Sequence, residues 1–468
     1  MQAVDSDSNM KQKPGSPSDT INPNLLGVSY AVHGPIVERA IQIEKELQKG
    51  VQKPFSRVVF ANIGDCHALG QQPITFIRQV QALAACPQLM SSPDIPEDVK
   101  ERVREILGDC TAGSVGAYSP PAGLALVRRH AARWLRARDG VAASPDHVYL
   151  GAGATDLICA VLQLLAAPLH GKPPAVMIPV PQYPVFSCAL AELGVSAAPY
   201  LLDERAGWAL PPRALQSAYR AASDTHAVRA LVLINPGNPT GQVLSRENME
   251  EVVRFAHEHR LFLLADEVYQ ENLVDKPFVS FKKVIHSMGP PYDTLELASF
   301  MTASKGWAAE CGARAALVDI PRLAPQARAA FEDARARAHC PSLLGQCALD
   351  CIVKPPAPGE PSYSQFSLER DVIQRALRER AAAAHRALND IPTFSCNPIE
   401  AAMFAFPRFT IPARAHAAAR ARGVEPDEFY CMQLLEETGT SRLYYDHFDS
   451  SDVCYNCDST LKSINSMT

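Results

Sequence analysis

The chain has 468 residues, 47% hydrophobic and 20% charged, with a formal net charge of -5. That length exceeds one ordinary core and predicts two domains, or one large domain with an appendage. The acidic balance excludes a basic field for nucleic acid, and no run of 18 apolar residues offers a membrane span.

The N-terminal stretch MQAVDSDSNMKQKPGSPSDT mixes acids with lysines and has no apolar signal region, so residues 1–22 are expected to form a disordered tail. Residues 35–49 place Ile36, Ala40, Ile43 and Leu47 on one face of an amphipathic helix. Beyond residue 110 short apolar runs alternate with helical stretches: 147–150, 175–180, 228–234, 261–265 and 314–320. Strands apolar on both faces predict a mostly parallel sheet covered by helices. Ser245 is the expected N-cap of a helix carrying Met249, Val252, Val253 and Ala256. Residues 353–366 are proline-rich and read as a connector. Ile373, Leu377, Ala381, Ala384 and Leu388 then mark a long helix whose arginines form a solvated face.

Residues 440–468 contain no Ala, Gly or Pro, a sharp break from the Ala-rich 411–430, and show neither helical nor strand periodicity. Such a break is expected of a different exon, a retained intron or a shifted frame. Cys454 and Cys457 form a CxxC with no second pair nearby, so a zinc site is not expected. The thirteen cysteines scatter through apolar stretches, among them Cys159, Cys188, Cys347 and Cys351. They read as reduced thiols in a cytoplasmic protein.

Four segments, expected to lie on consecutive βα connections, carry chemistry. In SFMTASKGWAAECGAR (299–314), Lys305 follows an apolar run, with Thr302, Ser304 and Arg314 beside it. A lysine held as the neutral amine forms a Schiff base with a carbonyl, and hydroxyls with an arginine hold a phosphate. In INPGNPTGQV (234–243), a tight turn presents Asn238 at the carboxyl edge of the sheet, where open α/β sheets bind ligands. In LLADEVYQ (263–270), Asp266 ends a core strand, a costly place for a charge unless a pyridinium N–H or a similar cation pairs with it. Tyr269 follows three residues on. An N-cap is the ordinary alternative for Asp266. In LGAGATDLI (150–158), small residues open a helix and leave backbone N–H groups free for an anion.

Together these segments resemble the fold-type I pyridoxal-phosphate (PLP) aminotransferases, and within them the alanine aminotransferase family, from about Val28 to Gly439. The stretches NIGDCHALGQQPITFIRQV (62–80), GAYSPPAGLALVR (116–128), PVPQYPVFSCALAELG (179–194) and QLLEETG (433–439) carry the same resemblance. It implies a large PLP-binding domain over 113–345 and a smaller α+β domain. The smaller domain would be built from an arm and part-domain over 23–112 together with 346–439, leaving 440–468 as a divergent tail. It implies that Lys305 holds the cofactor as an imine and carries the α-proton, and that Asp266 pairs with the ring nitrogen. Asn238 and Tyr269 would bond the phenolic oxygen, and Tyr183 would stack on the ring. Gly153, Ala154, Thr155, Thr302, Ser304 and Arg314 would form the phosphate cup. Tyr118 would reach the phosphate of a neighbouring subunit in a homodimer, and Gly64 would lie beside the substrate. The implied reaction is ping-pong transfer of the amino group of L-alanine to 2-oxoglutarate, with small amino and keto acids as substrates and a second copy of the chain as partner.

Two departures stand out. The family holds the substrate carboxylate with an arginine after the QLLEETG segment; this chain diverges at Thr440, and Arg442 has no matching context. The family has Tyr and Gly around the phosphate arginine, where this chain has Ala313, Ala315 and Ala316. Alternatives left open are a PLP-binding form with poor turnover and a related enzyme such as a glutamate–glyoxylate aminotransferase. The match over 62–80 disfavours a lyase.

Overall fold

The computed structural model describes residues 21–26, 28, 34–60, 64–441, 443–444 and 454–455. Seven strands form the central sheet: β1 (Val148–Gly151), β2 (Pro174–Val180), β3 (Ser196–Leu201), β4 (Ala227–Ile234), β5 (Phe262–Asp266), β6 (Leu297–Thr302) and β7 (Ala316–Asp319). Their order is β1-β7-β6-β5-β4-β2-β3. Only β7 runs against its neighbours β1 and β6; every other pairing is parallel. The five apolar runs all become strands, and the run before the Lys305 turn becomes β6. β3 was not among them, because its burial alternates along an edge strand and leaves Leu201 60% exposed.

Both faces of the sheet are covered. On one, Tyr149, Ile178, Val232, Leu264, Phe300 and Val318 pack with Leu157, Phe186 and Phe331 from three helices. On the other, Met177, Leu231, Leu263 and Leu297 meet the helices Pro212–Ser223, Arg246–Glu258 and Phe281–Met288. Alternate residues of one strand thus enter different cores, as pleating requires. Leu263 is completely buried, so Leu263→Ala costs about 2–5 kcal/mol. Ser245 caps its helix as expected, its hydroxyl accepting from Asn248 N–H at 3.2 Å.

Helix Pro35–Gln48 packs on helix Pro426–Thr438 through Ile36, Ala40, Ile43, Cys431 and Leu435, and Glu436 ties both Arg39 and Lys53. One expectation is corrected. The long helix spans Tyr363–Asn389 and so begins inside the proline-rich 353–366 stretch. Pro361 is the last breaker, and Ser362 is fixed by bonds of 3.1 and 2.9 Å to the Asp98 carboxylate. Within 440–468 the described residues carry strand pairing. Thr440 and Ser441 are buried and pair in parallel with Val59 and Phe60, and 443–444 pair with 454–455. The partners lie far away or in very short strands, so periodicity within the segment does not betray them. Cys457 and Arg442 lie outside the described residues. No helix among the described residues is long and apolar enough to cross a membrane.

Candidate active site

Strand register gathers the site. Ile234, Asp266 and Phe300 stand side by side across β4, β5 and β6. The residues that follow each of them therefore leave the sheet at one edge, carrying Asn238, Tyr269 and Lys305 with them.

The turn after β4 closes with Gly237 N–H on Gln242 O at 3.0 Å. A Cβ at Gly237 would lie 2.0 Å from Gln242 Oε1, so the turn is built around a missing side chain. Asn238 Nδ2 then donates to the Tyr269 hydroxyl at 3.2 Å. Tyr269 is buried, with its ring edge-on to Phe404 at 5.5 Å. Lys305 Nζ lies 5.6 Å from the centre of the Tyr269 ring and donates to Gly64 O at 3.0 Å. Gly64 is itself pressed by Met403 and Phe404: a Cβ there would meet Met403 Sδ at 2.8 Å.

Asp266 is 4% exposed and accepts from Val268 N–H at 3.3 Å. It caps no helix; a short turn follows it. Burial lifts its carboxyl from the ordinary 3.8 to about 7, against the opposing pull of Val268 N–H and Lys305. Its neighbour Glu267 is also raised to about 7 by burial, although Arg138, Ser299 and Phe281 N–H all favour its charge.

The anion cup is assembled from two directions. Gly153 precedes helix Ala154–Leu165 at φ 102, ψ 163, a conformation open essentially only to glycine. Ala154 and Thr155 form the helix's first turn, where backbone N–H groups are free to bind anions. Arg314, just before β7, donates to Ala152 O at 3.2 Å, and its Nη1 lies 3.5 Å from Ser304 Oγ. The Thr302 hydroxyl donates to Ala315 O at 3.0 Å and accepts from Ser304 N–H at 3.2 Å. It shapes the turn that carries Ser304. Tyr183 stands half-buried in the turn after β2, packed on the Phe186 core. Tyr118 makes its ring contact with His339 at 5.0 Å and is 72% exposed.

Sequence reasoning missed three contributors. Asn272, 5% exposed, accepts from Gly306 N–H at 2.7 Å and so pins the turn after Lys305. Its carbonyl accepts from Ala402 N–H at 2.8 Å, which ties that turn to the segment bearing Met403 and Phe404. Asp156 accepts from Ala152 N–H at 2.9 Å, and Arg335 grips it from another helix. Gly306 and Arg335 are distant in the chain from the residues they bond, so no local pattern announces these ties.

The family model of class I and II aminotransferases matches residues 86–448. The chain belongs to the class I and II aminotransferases. Alanine aminotransferase 1 of Homo sapiens is 48% identical over 425 residues, covering 90% of this chain and 86% of that protein. The probable mitochondrial alanine aminotransferase of Dictyostelium discoideum is 41% identical over 443 residues, covering 92% of this chain and 82% of that protein. Among solved structures, the alanine aminotransferase of Pyrococcus furiosus superposes with TM-score 0.72 at 18% identity, covering 93% of each chain, which shows a shared fold. The aminotransferase is thus an enzyme of a PLP-dependent family.

Proposed function

We propose that this aminotransferase moves the amino group of L-alanine to 2-oxoglutarate, giving pyruvate and L-glutamate in a ping-pong cycle, with PLP as its resident cofactor. The observation that carries the reading is the Lys305 amine held over Tyr269, within electrostatic reach of a buried acid, Asp266. Its relatives' names supply the amino donor. The residues present fit PLP. Asp266 is a buried carboxyl whose charge calls for a cationic partner such as a protonated ring nitrogen. The cup at Gly153 leaves no room for a side chain, since a Cβ there would lie 2.2 Å from Arg314 Nη2.

In this reading Asp266 holds the ring nitrogen, Asn238 and Tyr269 the phenolic oxygen, and Tyr183 the ring face. Gly153, Ala154, Thr155, Ser304 and Arg314, shaped by Thr302, hold the phosphate. Gly64 lines the substrate side, and Tyr118 serves the neighbouring site of a homodimer. When bound, PLP supplies an aldehyde for amines and an electron sink for charge developing at the substrate's α-carbon. Lys305 Nζ takes the α-proton and returns it. Gly64 O orients that amine. Asp266, ionised, keeps the opposing proton on the ring nitrogen. A cytoplasmic setting belongs to the same reading, with buried Cys347 and Cys351 as reduced thiols.

The test is Lys305→Ala. The parent should show the visible band of bound PLP, lose it on L-alanine, and regain it on 2-oxoglutarate. The variant should lack the band and the turnover. Normal transamination by the variant refutes the role of Lys305; glyoxylate outperforming 2-oxoglutarate as acceptor refutes the substrate assignment.

A further inference from the structure

We infer that Arg335, acting through Asp156, is a positioning residue that sets the anion cup and neutralises the carboxylate beside it. The inference rests on the reading that the cup receives the PLP phosphate.

Asp156 is the third residue of helix Ala154–Leu165. A carboxylate in a first turn suits the helix dipole, but this one sits beside a place meant for a dianion. Its charge is therefore an obstacle to the ligand unless matched. Arg335, on helix Pro325–Arg337, matches it with a two-pronged grip of 2.6 Å to Oδ1 and 2.8 Å to Oδ2. Arg335 is 7% exposed, and its Nε is buried with no hydrogen-bond partner among the described residues. A guanidinium so enclosed has little freedom to leave its carboxylate.

The grip is transmitted to the cup through one residue. Asp156 Oδ2 accepts from Ala152 N–H at 2.9 Å, while Arg314 donates to Ala152 O at 3.2 Å. Ala152 is thus held at both its N–H and its carbonyl, and the next residue is Gly153. The chain Arg335–Asp156–Ala152–Arg314 is continuous, so the spacing of the cup's backbone from its guanidinium depends on a residue that lies outside it. Arg335 has a second, purely structural job, joining two helices. The two jobs differ in what they do to the phosphate alone.

The experiment compares PLP with pyridoxal, which has the same ring and aldehyde without the phosphate, titrated into cofactor-stripped protein. Arg335→Met should weaken PLP about tenfold, the scale of one charge contact partly open to water, and leave pyridoxal nearly unchanged. Adding Asp156→Asn to that variant should restore most of the loss, because the amide still accepts from Ala152 N–H but repels nothing. PLP and pyridoxal weakening in parallel, or neither weakening, overturns the inference. Asp156→Asn alone keeps the test decisive if Arg335→Met does not fold. Its preference for PLP over pyridoxal should equal or exceed the parent's, and a reduced preference overturns the inference. A parent protein with no preference for PLP would instead sink the cofactor reading itself, before any variant is made.

Discussion

Asp266→Asn should make the cofactor-free protein more stable at pH 8 while weakening its hold on PLP. The folded carboxyl keeps its proton up to about pH 7, whereas the ordinary value is 3.8. Between those values the folded state binds the extra proton. Stability therefore falls as pH rises through the window and levels off above it. A rise from 3.8 to about 7 is worth at most about 4 kcal/mol. Asparagine cannot ionise and can still accept from Val268 N–H, so the variant lacks that cost. Glu267 titrates over a similar window and is common to both proteins, so it cancels in the difference. The assay is urea unfolding of both proteins, stripped of cofactor, at pH 5 and pH 8. The variant should gain on the parent by a few kcal/mol between the two values. Saturating PLP should then stabilise the parent more than the variant, since a ligand of the folded state adds RT ln(1 + [L]/Kd). Equal pH dependence in parent and variant refutes the claim that a desolvated charge at position 266 is held ready for a cation.

Gly153→Ala places a Cβ 2.2 Å from Arg314 Nη2 in a backbone conformation costing alanine about 1–3 kcal/mol. Equilibrium dialysis should show PLP affinity down about tenfold or more, and an unchanged value would mean that the cup lies elsewhere. Asn272→Ala leaves the buried Gly306 N–H without its acceptor, a loss of about 1–3 kcal/mol. Urea unfolding measures it, and a change below the error of the method would show that Asn272 does not hold the lysine turn.

The sheet was legible because its strands are buried on both faces. A run such as LFLLA can lie nowhere else, and its last residue then fixes where Asp266 emerges. The Ser245 cap was legible for a local reason, a hydroxyl three residues from the N–H it serves. What stayed hidden depends on distance or context. β3 has a half-exposed edge pattern that imitates a loop. Helix Tyr363–Asn389 starts earlier than its prolines foretell, because Asp98 anchors Ser362 from far away in the chain. Asp156 reads as an ordinary first-turn acid until Arg335 is seen beside it. Thr302 has the residue type of a phosphate ligand, and only the fold shows that its hydroxyl also reaches Ala315 O. Composition reveals what a residue can do, while the fold decides which of its options is taken.

Because β7 is reversed, Lys305 and Arg314 belong to one hairpin loop, residues 303–315, closed where Thr302 lies opposite Ala316. Ala303 N–H donates to Ala315 O and Ala303 O accepts from Glu310 N–H, knitting the loop to itself. The loop works as a calliper whose jaws are the amine and the guanidinium, and its contour length sets the gap between them. Insertions or deletions inside it rescale that gap, whereas lengthening the connection between β3 and its following helix Pro212–Ser223 leaves it alone. Lineages sharing this hairpin should therefore vary in length almost anywhere before they vary here.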